Sequence, residues 1–152
     1  MSRKRRSRAA GFTLVEVMIA GAIMGVLAAL CTTNYLVYIE RVRVVRAIVE
    51  IKGIATHLDV TKIQGGRLPA TLVAMRLAQK DPWGRPYQYL KIAGAVPASV
   101  RKDQFLVPLN TDFDLYSFGV DGRSRPRITH ADSLDDVVRG SNGAFIGLAR
   151  NY

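Results

Sequence analysis

Few side chains in this sequence stand in patterns that do chemistry. Asp112 and Asp114 are spaced as paired carboxylates. On one extended segment they share a face but make no frame for general acid–base work. Ser117 lies in no G-x-S-x-G turn, the setting that exposes a nucleophilic serine. His57 falls in an amphipathic stretch and reads as a surface or packing residue, and His130 has no second imidazole near it in sequence. Cys31 is the only cysteine, which excludes an internal disulfide and any multi-cysteine metal centre. No G-x-x-x-x-G-K-[ST] loop is present to hold a nucleotide. The expectation is a protein that is not an enzyme.

One carboxylate is out of place. Residues 1–11 read MSRKRRSRAAG and carry half of the net charge of +10. Residues 12–39 are predominantly apolar and hold a single charge, Glu16. A run of about 20 apolar residues is what a helix needs to cross a bilayer. Positive flanks stay on the cytoplasmic side, so the C-terminal part is expected across the membrane. A carboxylate inside such a segment costs a few kcal/mol even on mild insertion scales. Cleavage between Gly11 and Phe12 would place a new α-amino group at Phe12, four residues from Glu16. In a helical assembly that cation could pair with Glu16 of a neighbouring copy and set the register.

The same residues carry a resemblance. A basic leader ending in Gly11, then Phe12-Thr13-Leu14-Val15-Glu16 and an apolar helix, resembles the leader of type IV pilins and type II secretion pseudopilins. The resemblance implies processing by prepilin peptidase between Gly11 and Phe12, N-methylation of Phe12, and an assembly role for Glu16.

The elements that position these residues follow from periodicity. After Ile39, residues 40–64 keep helical spacing. Val42, Val45, Ile48 or Val49, and Ile51 form an apolar stripe, extended by Ala55, Leu58 and Ile63, and Gly65-Gly66 stops it. The predicted helix runs about 50 residues, or about 75 Å. Gly21 and Gly25 make a G-x-x-x-G pair, which reads equally as a close-packing notch and as ordinary membrane helix. Residues 65–152 hold all six prolines and read as a loop-rich sheet domain. A short helix is expected within 67–78, with strands around Tyr87–Ile92, Phe105–Leu109 and Phe113–Phe118. Residues 123–152 are expected to be mostly loop, with an apolar patch at Phe145, Ile146 and Leu148. The domain boundaries are thus 1–11 leader, 12–39 apolar helix, 40–64 amphipathic helix and 65–152 antiparallel β domain. The fold class is α+β: a long helix whose second half packs on a small antiparallel sheet.

Two further blocks sharpen the resemblance. Asp81-Pro82-Trp83-Gly84-x-Pro86-Tyr87-x-Tyr89 and Phe113-Asp114-Leu115-Tyr116-Ser117-x-Gly119-x-Asp121-Gly122 look like successive signatures of the major pseudopilin of type II secretion. Physically the first reads as a tight turn with a buried tryptophan. The resemblance implies a pilin-like fold and one calcium ion in the loop after the Asp-Gly turn. Its ligands would map onto the carbonyl near Phe118 and onto Asp121 and Asp132. The chain departs from the pattern there: His130 stands where an acid is usual, and Arg123, Arg125 and Arg127 add positive charge that opposes a cation. Asp135 and Asp136 are other candidate acids, and a solvated loop with Asp132-Ser133 as a helix cap is the alternative.

The resemblance implies a structural subunit of a periplasmic pseudopilus that drives type II protein export. Expected partners are further copies of the chain, prepilin peptidase, minor pseudopilins and an inner-membrane assembly platform. The expected location is the inner membrane, single-pass, with extraction into a periplasmic filament. The alternative is a type IV pilus subunit for adhesion, motility or DNA uptake, and the lone Cys31 excludes the C-terminal disulfide loop often found there. Nucleic acid is disfavoured, because basic residues beyond the leader are scattered. Arg41, Arg43 and Arg46 lie where lipid head groups are expected.

Overall fold

The computed structural model describes residues 11–152, without the side chains of residues 31–34. All but Gly11 of the leader expected at 1–11, and the side chain of Cys31, therefore lie outside the described residues. The chain divides into two compact units at Ile39/Glu40. Helix α1 runs Leu14–Ile63, 50 residues, with Gly65 taking φ +77° just beyond it. Glycine reaches that left-handed conformation without strain.

In the first unit the described apolar side chains of α1 are exposed apart from the half-buried Ile39, from Leu14 and Met18 through Met24 and Leu30 to Tyr35 and Tyr38. The helix is long and apolar enough to cross a membrane.

In the second unit, α1 buries Ala47, Ile51, Ile54, Ala55 and Leu58, with Val44 and Ile48 half-buried beside them. This spacing of three and four is a helical stripe. Ile51, Ala55 and Leu58 are on the expected stripe, and of Ile48 and Val49 it is Ile48 that packs inward, whereas Val42, Val45 and Ile63, also expected there, are exposed. Valines occur nearly all round residues 42–49, so periodicity alone could not choose the face. The stripe that wins includes Ala47 and Ala55 among its larger aliphatic residues.

The sheet has strands β1 (Gln88–Lys91), β2 (Phe113–Ser117), β3 (Val137–Gly140) and β4 (Phe145–Leu148). They follow one another in space as in sequence, each pair antiparallel. Gln88 faces Tyr116, Tyr116 faces Val138, and Val137 faces Leu148. Side chains alternate between faces. Phe113, Leu115 and Val137 join the α1 core. Tyr116 and Val138 join a second cluster with Leu109, Ile128 and Ala149.

Three expectations are corrected here. Phe105–Leu109 is a turn, with Phe105, Leu106 and Val107 exposed. Asp103 Oδ1 accepts from the amides of Phe105 and Val107, which curls the backbone. The stretch 123–152 is more than loop with an apolar patch, because it supplies β3 and β4 and three 3₁₀ turns. Each is four residues, and β3 is buried throughout. A buried Arg139 inside β3 hides the apolar alternation that marks a strand. The helix expected in 67–78 is a single 3₁₀ turn, Leu72–Met75.

The Asp-Pro-Trp-Gly block is a clasp. Asp81, 4% exposed, accepts through Oδ1 from the amides of Trp83 and Arg85. Its Oδ2 accepts from Ser117 Oγ of β2 at 2.6 Å. Trp83 is half-buried rather than buried. Its Nε1 donates to Glu40 Oε1 at 2.9 Å, and Tyr87 OH donates to Glu50 Oε2 at 2.6 Å. Arg43 and Arg46, expected near lipid, pair with these same glutamates at 3.5 and 2.8 Å. Burial, then the bond to Glu50, hold the Tyr87 phenol well above the ordinary tyrosine range. Burial likewise pushes Tyr89 up to about 12.

Leu58→Ala should cost about 2–5 kcal/mol in chemical denaturation of the detergent-solubilised chain, while Val49→Ala should stay within about 0.5 kcal/mol. Tyr87→Phe removes a hydrogen bond to a carboxylate and should cost about 1.5–3 kcal/mol. A phenol with a raised pKa contributes stability below the unfolded tyrosine value, lost as pH rises through the folded one. Raising pH from neutral to beyond pH ~10 should therefore lower the melting temperature less in Tyr87→Phe than in the parent chain.

Candidate processing and assembly site

The bond between Gly11 and Phe12 lies in non-helical backbone just ahead of α1. Phe12 is 87% exposed. Nothing described lies within 4 Å of where a side chain on Gly11 would project. Packing within the described chain therefore places no demand for glycine at residue 11, and the bond after it is exposed and outside the helix, as a peptidase requires.

The entry to α1 is held by Thr13 and Glu16. Thr13 Oγ1 accepts from the Glu16 amide at 3.2 Å. Glu16 Oε2 accepts from the Thr13 amide at 2.9 Å and from its hydroxyl at 3.0 Å. This is a reciprocal capping box, which satisfies amides that the first helical turn leaves unpaired. Thr13 is a residue that the sequence expectations pass over, although T-x-x-E before an apolar run is the signature of such a box. A carboxylate at a helix start is also favoured by the macrodipole.

The candidate catalytic side chains are committed elsewhere. Ser117 is fully buried, donating to Asp81 and accepting from the Gly119 amide. Asp112 lies before β2, not within it. Burial alone would raise its pKa, but the fork from Arg139 at 2.9 and 3.1 Å outweighs this and holds the carboxyl below its usual range. Asp114 accepts from the Arg101 amide at 2.7 Å and from Asn110 Nδ2 at 2.9 Å. Burial raises its pKa. His57 is exposed on α1. The structure thus gives Ser117, Asp112 and Asp114 each a structural partner.

The loop after β2 holds the candidate metal residues. Phe118 is half-buried and packs edge-on to Tyr116, ring centroids 5.8 Å apart. Asp121 Oδ1 accepts from the Arg123 amide at 2.7 Å. Asp132 Oδ2 faces Arg125 Nε at 3.3 Å and His130 Nδ1 at 3.6 Å. His130, not Asp132, caps the 3₁₀ turn Ala131–Ser133. Among the described residues no group of three or more His, Cys, Asp or Glu could hold a metal ion. Asp135 Oδ2 accepts from the amides of Val120 and Asp121 at 2.7 and 3.0 Å. Asp136 Oδ2 accepts from Arg101 Nη2 at 2.6 Å, and burial pushes its carboxyl up to about 6.

Comparison with known proteins places this architecture. The prokaryotic N-terminal methylation motif matches residues 6–32. The type II secretion system core protein G of Pseudomonas aeruginosa is 30% identical, covering 87% of this chain and 96% of that protein. The proteins of the same name from Aeromonas hydrophila and Vibrio cholerae are 29% and 27% identical, covering 82% and 85% of this chain and 90% and 92% of theirs. A fimbrial protein of Pseudomonas aeruginosa is 40% identical, over only 36% of each chain. No solved structure matches significantly. With a methylation motif at its start, a relative matched almost end to end, and one long helix beside a four-stranded antiparallel sheet, the chain belongs to the family of the type II secretion system core protein G, the major pseudopilins.

Proposed function

We propose that this chain is the repeating structural subunit of a periplasmic pseudopilus that drives protein export by type II secretion. The observation that carries this reading is the near full-length match to core protein G. The exposed apolar helix supports it. A helix that is apolar on all sides is stable only in lipid or among other helices. Monomers wait in the inner membrane with the N-terminus cytoplasmic and the sheet domain periplasmic. Prepilin peptidase cuts after Gly11 and Phe12 is methylated. Subunits then exchange lipid for one another along residues 12–39, and minor pseudopilins and the assembly platform organise that exchange. The fimbrial reading is weaker, since that match spans 36% of the chain.

Glu16 has a role at each stage. In the monomer the Thr13 amide and hydroxyl occupy one of its oxygens. In the filament the Phe12 amine of a neighbour takes up its charge, which ties association to correct offset.

Mass spectrometry of the mature chain should find a methylated Phe12 at the N-terminus; an intact Met1 in a host carrying the peptidase overturns the reading. Glu16→Val should leave membrane fractionation unchanged. It should weaken subunit association by about tenfold or more, as loss of one charge-assisted contact of about 1.5–3 kcal/mol requires. Normal filament yield from that variant removes the assembly role.

A further inference from the structure

Two guanidinium groups stand inside the loop where the family resemblance predicts a calcium ion. Arg85 Nη2 donates to the carbonyls of Gly119 and Val120 at 2.5 and 3.2 Å. Its Nη1 fills the space that a side chain at residue 122 would need, where Gly122 takes φ +71°. The Arg85 amide is itself tied to Asp81 at 2.8 Å, so the turn of the clasp aims this side chain. Arg101, 2% exposed, closes the far part of the loop. Its Nη1 donates to Ser124 Oγ and to the Arg125 carbonyl, and its Nη2 to Asp136. The Arg101 guanidinium also lies 4.3 Å from the centroid of the Tyr116 ring.

The remaining donors do not fit a hard divalent cation. Such an ion needs six to eight oxygens, several of them carboxylate. Here Asp121 bonds its own turn, Asp132 faces Arg125, Asp135 accepts two amides, and Asp136 faces Arg101. Two of the carbonyls after β2 are already taken by Arg85. A guanidinium suits that position because its rigid fork reaches two oxygens at once and its charge does not titrate away.

We propose that Arg85 and Arg101 are built-in cations that replace calcium, so that the loop 118–136 of this chain closes and stays closed without a metal ion. Arg85 gathers the carbonyls near the Asp-Gly turn and Arg101 neutralises Asp136.

The test uses the full-length chain in detergent micelles. Its melting temperature should agree within about 1 °C in millimolar calcium chloride and in EGTA, because a ligand that does not bind the fold cannot stabilise it. Trypsin should cut after Arg123 and Arg127 at the same rate in both. Arg85→Ala should lower the melting temperature by about 5 °C and speed those two cuts by about tenfold. Arg85→Lys should recover only part of the loss, since a point charge does not fork. A calcium-dependent rise in melting temperature or protection of the parent chain from trypsin overturns the proposal. So does an Arg85→Ala chain that matches the parent in both assays. The parent chain with and without calcium decides the matter even if Arg85→Ala fails to fold. These measurements read the loop alone, and their failure leaves the filament role untouched.

Discussion

The first half of α1 offers apolar surface on every described side and, among the described residues of its own unit, nothing to cover it. Phe12, Leu14, Met18, Met24, Leu30 and Leu36 are each more than 60% exposed. Burial of such side chains is worth about 1.5–3 kcal/mol apiece relative to water. No arrangement of one chain recovers that for the segment, so its resting solvent must be hydrocarbon, from lipid or from sister helices. The rest follows from this constraint. A carboxylate at the helix entry must be kept satisfied in whichever medium it occupies.

The second unit solves a different problem, the burial of charge. Arg101, Arg139, Asp114 and Asp136 are all 2% exposed or less. A buried charge is tolerated only when paired and hydrogen-bonded. Arg139 meets Asp112, and its guanidinium lies 3.9 Å from the Phe113 ring centroid. Arg101 meets Asp136 at 2.6 Å. These pairs do not add much stability over an apolar core. They make the loop geometry unique, because sliding a strand by one residue would strand a guanidinium without its acid. A domain with short strands and long connections has few other means of fixing its register.

Legibility divided along the same line. The apolar run, its basic flank, the end of α1 near Gly65-Gly66 and strand β2 were readable, because each rests on local pattern or on a glycine that permits a conformation. The buried face of α1 was readable at Ile51, Ala55 and Leu58 but not before them, where valines at residues 42, 45 and 49 compete with the stripe that tertiary contact selects. Strands β3 and β4 were missed because Arg139 and Gly147 interrupt the alternation, and only the fold shows why an arginine belongs inside. The capping box was written in Thr13 and Glu16 but was overshadowed by the membrane cost of the acid. In the candidate loop the excess of arginine was visible. That Arg85, more than thirty residues away, reaches the same carbonyls is a long-range fact that spacing cannot reveal.

Trp83 and Tyr87 grip the helix at Glu40 and Glu50, ten residues apart on α1. At 1.5 Å per residue the two grips are separated by about 15 Å along the axis. Attachment at two such points removes both sliding and swivelling of the turn against the rod. A thrust directed along the axis is then carried by both fastenings in parallel, in shear, instead of peeling one and then the other.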